Sequence, residues 1–130
     1  MIMTLGEKLN NPLNIRNVDG QNWIGQIGEK AGFCEFQHVW WGVRAAMMIL
    51  SKYRKRGLVT IEQIISTWAP SSENDTEAYI KFICSKMHCK RTDEMTPDFW
   101  PRLVFWMAKI ESRMNLEYSQ VCNVFKSLKL

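Results

Sequence analysis

The carboxylate best placed to do acid chemistry is Glu111. On a helix running from Pro97 to about Met114, the residues Trp100, Val104, Met107, Glu111 and Met114 recur at intervals of three and four and share one face. A carboxylate on an apolar stripe loses solvation, and its pKa rises. A carboxyl group that keeps its proton near neutral pH can protonate a glycosidic oxygen. The plainer alternative is an acid at the stripe's edge, paired with a Lys or Arg. Glu35 and Glu73 are weaker candidates. Glu35 lies in the alternating segment Phe33-Cys34-Glu35-Phe36, where it should point away from Cys34 and Phe36. Glu73 lies just before a helix start, where the helix dipole alone explains an acid.

Other chemistries find less support. His38 and His88 are the only histidines, and neither has a nucleophile elbow beside it. The glycines at 25, 28 and 32 spell no phosphate loop. Cys34, Cys84, Cys89 and Cys122 lack the paired spacing of a zinc site. Cys84, His88 and Cys89 fit within about one helical turn, but no matching second pair exists elsewhere. Free thiols in a reducing compartment are expected, with no metal and no cofactor. Of Trp23, Trp40, Trp41, Trp68, Trp100 and Trp106, most belong in a core. One or two can offer a flat face to a pyranose ring.

The elements that must position these residues follow from pattern and punctuation. Residues 1–21 are rich in Asn and Gly and read as loop, with a turn at Asn11-Pro12. Residues 22–37 read as a short hairpin punctuated by Gly25, Gly28 and Gly32. A helix is predicted over 39–56, with Val43, Ala46, Met47, Leu50 and Tyr53 on one face and Gly57 as its stop. Thr60 and Gln63 form a capping-box pattern for a short helix that Pro70 ends. Asn74 or Asp75 caps a third helix over 76–87, and 90–96 is polar loop. Pro97 suits a first helical turn, and a last helix is predicted over 116–128. The expected fold is α+β, mainly α, with one small β-hairpin.

Bulk properties narrow the classes. The 130 residues suit a single domain over 1–130, and 46% hydrophobic content with six Trp excludes a disordered chain. No apolar run reaches the roughly 20 residues that span a bilayer. The start, MIMTLGEKLNN, lacks the charged and apolar segments of a signal peptide. The protein is therefore expected to be made in a bacterial cytoplasm and carried outward by another route. A net charge of +4 suits an acidic polymer without choosing among cell wall, anionic lipid and nucleic acid. The cluster Lys52, Arg54, Lys55 and Arg56 reads as a solvated helix end whose cations complement the dipole. It is weak ground for a nucleic-acid site.

A longer pattern carries a resemblance. Asn10-Asn11-Pro12-Leu13-Asn14-Ile15-Arg16 is followed by Trp23-Ile24-Gly25-Gln26, Gly32-Phe33-Cys34-Glu35-Phe36 and Gly42-Val43-Arg44-Ala45. Gly57-Leu58, Thr60-Ile61, Ile64-Ile65 and the run from Trp68 through Thr76 to Tyr79 continue it. In this order and spacing the chain resembles small phage and prophage proteins of the lysozyme-like, virion structural type. More distantly it is similar to bacterial cell-wall glucosaminidases and lytic transglycosylases. Those enzymes set a catalytic Glu at a helix end, ahead of an Asn-Leu-Phe-Gly-Ile-Lys-like segment. Here the corresponding Asn11–Arg16 segment is preceded only by Glu7, on a stretch expected to be non-helical. Circular permutation reconciles the order: the helix bearing Glu111 takes the place of the missing first helix.

The resemblance implies a lysozyme-like domain that cleaves the β-1,4 glycan strand of peptidoglycan. Glu111 would be the general acid, Glu73 a second carboxylate, and Tyr79 a support for the sugar or intermediate. Asn14, Arg16, Trp23 and Glu35 would bind substrate, Asn14 and Arg16 at acetamido or carboxyl groups. Loop-locking hydrogen bonds are the competing role for Asn14 and Arg16, and packing on Trp68 is that for Tyr79. Ser112-Arg113-Met114-Asn115 departs from the Gly- or Asn-rich turn expected after the acid. The alternative function is a non-catalytic virion or interaction protein that keeps the fold for binding.

Overall fold

The computed structural model describes residues 2–130. Six α-helices and one antiparallel hairpin make up its regular structure among the described residues: α1 (Leu5–Lys8), β1 (Gln26–Lys30), β2 (Phe33–Phe36), α2 (Val39–Lys55), α3 (Ile61–Trp68), α4 (Thr76–Met87), α5 (Trp100–Glu111) and α6 (Tyr118–Leu128). A 3-10 turn, Pro97–Phe99, leads into α5. The class is α+β, mainly α.

Local chemistry accounts for most boundaries. Thr60 accepts from the Gln63 amide while the Gln63 side chain accepts from the Thr60 amide, so α3 starts in a capping box. The Asp75 carboxylate accepts from the Ala78 amide and starts α4. Between β1 and β2, Ala31 and Gly32 both take positive φ. That is the backbone of a two-residue turn whose twist suits a hairpin.

The core is built from one stripe per helix. Val43, Ala46, Met47 and Leu50 of α2 meet Leu103, Val104, Met107 and Ala108 of α5, with Ile64, Ile65, Ile80 and Ile83 closing the other side. Helix α5 packs between α4 and α6 as well as against α2. Gly42 lets the N-terminal loop lie on α2, since a Cβ there would stand 2.7 Å from both the Asn10 carbonyl oxygen and Pro12 Cδ.

Three boundaries differ from the sequence expectation. Residues 1–21 are not all loop: Leu5–Lys8 form a helical turn, and Glu7 is helical and completes a capping box with Thr4. Four residues are too few for a periodic signal, which is why the pattern is silent there. Helix α5 stops at Glu111 rather than near Met114, because tertiary hydrogen bonds replace the next helical turn and Arg113 enters the left-handed region at φ 62°. Helix α6 starts at Tyr118, since Leu116 is buried in the connecting segment instead. No helix among the described residues is long and apolar enough to cross a membrane.

Candidate functional site

The site is assembled where the loop from Asn10 to Arg16 meets the C-terminal end of α5. Asn11 fixes the loop. Its side chain is fully buried, and its Nδ2 donates to the carbonyls of Ile15 and Cys34, both at 2.9 Å. Its Oδ1 accepts from the Ile15 amide at 2.9 Å. One side chain thus ties the loop to itself and to β2. Asn10 and Asn14 both sit at left-handed φ, which Asn tolerates better than most residues.

The same loop caps α5. Asn14 Nδ2 donates to the Glu111 carbonyl at 2.7 Å, satisfying a group the helix end leaves open. Ser112 Oγ donates to the Pro12 carbonyl at 2.8 Å, and Thr4 Oγ1 donates to the Ser112 carbonyl at 2.8 Å. Helix α1 closes over this junction. A Cβ on Gly6 would meet Ser112 Cβ at 2.7 Å and the Asn11 carbonyl at 2.8 Å, so only glycine allows that approach.

These bonds hold the Glu111 carboxyl group in place. Tyr79 Oη donates to Oε2 at 2.9 Å, and Asn14 Nδ2 reaches Oε1 at 3.4 Å. Burial pushes the Glu111 pKa above the ordinary carboxylate range. The Tyr79 and Asn14 hydrogen bonds and the nearby Arg16 charge work against that rise without cancelling it. Glu111 is also the last residue of α5, where unpaired carbonyls make an anion less favourable. Burial and the neighbouring Glu111 charge drive the Tyr79 phenol well above its usual value, so Tyr79 keeps the proton it donates.

Glu111 opens onto a cleft of about 430 Å³, a size usual for ligand pockets. Asn14, Arg16, Trp23 and Glu73 line the same cleft. Arg16 Nη2 stands 3.5 Å from Glu73 Oε1, and its guanidinium lies 5.0 Å from the centre of the Phe33 ring. That ion pair is long and more than half exposed, so it orients Arg16 more than it stabilises the fold. Two expected site residues fall elsewhere. Tyr79 is only 4% exposed and stands behind Glu111, not on the cleft wall. It contacts the acid, not a position open to substrate, and it stacks no Trp68 face; Tyr53 packs edge-on against that ring instead. Glu35 lies over Gly28 on the outer face of the hairpin, because strand alternation gives the inner face to Cys34 and Phe36.

The structure also adds residues to the cleft that the sequence did not single out. Lys52, Tyr53, Trp68 and Gln21 line it. Lys52 belongs to the basic cluster at the end of α2, and Tyr53 to the apolar stripe of that helix. Their adjacency on α2, one step round from the core face, was the available signal. Trp68 Nε1 donates to the Leu13 carbonyl at 3.2 Å, so the indole braces the loop as it walls the cleft. All four cysteines are free thiols. Burial and Cys84 push the Cys89 thiol up to about 11, which makes it a poor nucleophile. No cluster of three or more metal-ligating side chains occurs among the described residues.

No protein-family model matches the chain. Protein P5 of Pseudoalteromonas phage PM2 is 37% identical over 115 residues, covering 85% of this chain and 72% of that protein. At that identity and coverage, the chain belongs to the phage protein family of Protein P5.

Proposed function

We propose that this phage-family protein is a lysozyme-like domain that cleaves the β-1,4 glycan strand of peptidoglycan, with Glu111 as general acid. The observation that carries this reading is the Glu111 carboxyl group. It is raised in pKa by burial, held by Tyr79 and Asn14, and open to a cleft of ligand size. In the proposed reaction Glu111 gives its proton to the glycosidic oxygen as the bond to the anomeric carbon breaks; water or the sugar's own C6 hydroxyl then bonds to that carbon, and its proton returns to Glu111. Glu73, on the cleft wall, acts as the second carboxylate and faces the positive charge that develops on the sugar ring. Asn14 and Arg16 bind polar groups of the glycan, Trp23 offers ring surface, and Tyr79 positions the acid.

The packing of α1 and the Asn10–Arg16 loop on the end of α5 supports the permuted order. The acid-bearing helix end meets, through space, the segment that follows it along the chain in the cell-wall enzymes. We take the protein to reach the wall as part of, or alongside, a virion. The test is release of soluble muropeptides from purified peptidoglycan, resolved by mass. Products with ordinary reducing ends mean hydrolysis, and anhydro ends, lighter by one water, mean lytic cleavage. Binding of glycan without release would instead favour a non-catalytic interaction protein.

A further inference from the structure

The cleft holds two cations with different surroundings. Arg16 is engaged by Glu73 and is the cation whose charge holds the Glu111 carboxyl down. Lys52 does neither. Its ammonium donates to Gln21 Oε1 at 3.2 Å and lies 5.1 Å from the centre of the Trp23 ring. None of the ion pairs among the described residues involves it. An ammonium group has three donors, and one is used here. The indole face and the Gln21 amide hold the charge in place without neutralising it. A cation that is oriented, unpaired and set in a ligand cleft suits an anionic group on the ligand.

We propose that Lys52 is an anion-recognising residue of the cleft, selecting glycan strands that carry carboxylates over neutral ones. This rests on the glycosidase reading and adds a substrate preference to it. The sugar carboxylate takes the two open donors of the ammonium, while Trp23 and Gln21 keep the long side chain from losing its orientation. Arg16 is less available for this role because Glu73 already claims its guanidinium. An Arg at position 52 would preserve the charge, and a Gln would remove it.

The test uses the full chain carrying Glu111→Gln, which prevents turnover. Its affinity is measured by calorimetry for two probes. One is a peptide-free peptidoglycan glycan fragment with its lactyl carboxylates, and the other is an N-acetylglucosamine oligomer of the same length. Adding Lys52→Gln should weaken the carboxylated probe by roughly fivefold to tenfold more than the neutral one. Lys52→Arg should restore most of the difference, and added salt should shrink it. Equal losses for both probes, or none for either, overturn the role of Lys52 alone. A parent chain that binds neither probe overturns the glycan reading and this inference with it.

Discussion

Tyr79 Oη donates a hydrogen bond to Glu111 Oε2 at 2.9 Å, joining the start of α4 to the last residue of α5. The phenol is buried, so the bond is shielded from water and fixes which way the carboxyl group faces. Asn14 reaches the other oxygen at 3.4 Å, a weaker hold. Oε1 is therefore the oxygen better placed to carry and release the proton.

This arrangement sets a pH signature. Glu111 acts as an acid only while protonated, so activity should fall as pH rises through its raised pKa. The Tyr79 bond lowers that pKa, so Tyr79→Phe should move the falling limb to higher pH. It should also reduce kcat by about tenfold through lost orientation. A pH–rate profile of the two proteins checks this. An unmoved limb would mean that the limb does not report Glu111.

Arg16→Gln should move the same limb upward, because the lost guanidinium charge also holds the carboxyl down. It should raise KM as well, since Arg16 lines the cleft while Tyr79 does not. The split between the two variants, KM for Arg16 and kcat for Tyr79, separates binding from positioning in steady-state kinetics.

Stability should follow the same carboxyl group with the opposite sense to a paired acid. A raised folded pKa gives stability that is full below the unfolded pKa and is lost as pH rises through the folded one. Glu111→Gln keeps an acceptor for Tyr79 and removes the partly buried charge. It should leave stability nearly unchanged in acid and add ~1 kcal/mol at neutral pH, the usual sense of a stability–function trade-off. Urea unfolding at two pH values measures this.

Asn11→Ala should cost about 3 kcal/mol, because the change leaves the Ile15 amide without its acceptor and takes a donor from the Ile15 and Cys34 carbonyls. It should also lower activity by freeing the loop that carries Asn14 and Arg16. Thermal unfolding and a turnover assay on the same sample should show both losses.

Much of this framework was readable from residue order. The alternation in Phe33–Phe36, the Thr60–Gln63 capping box and the apolar stripe of α5 are local signals, and each lies where local physics puts it. Glu111 stood out for the same reason, as the one acid continuing that stripe. What was illegible depends on distant pairs. The stop of α5 at Glu111 comes from Asn14 and Ser112 bonding across the chain, separations of 97 and 100 residues. The same holds for the burial of Tyr79 behind the acid. Lys52 was hidden because a helix end rich in cations has an ordinary explanation, and only the folded chain shows which of them lines the cleft.

The most direct test of Glu111 as general acid is muropeptide release from purified peptidoglycan by the parent chain and by Glu111→Gln. The carboxamide retains an acceptor for Tyr79 but has no proton to give at working pH. The parent should release muropeptides and the variant at least about a hundredfold less, the scale of general acid catalysis. Equal release by both proteins would remove Glu111 from the acid's role.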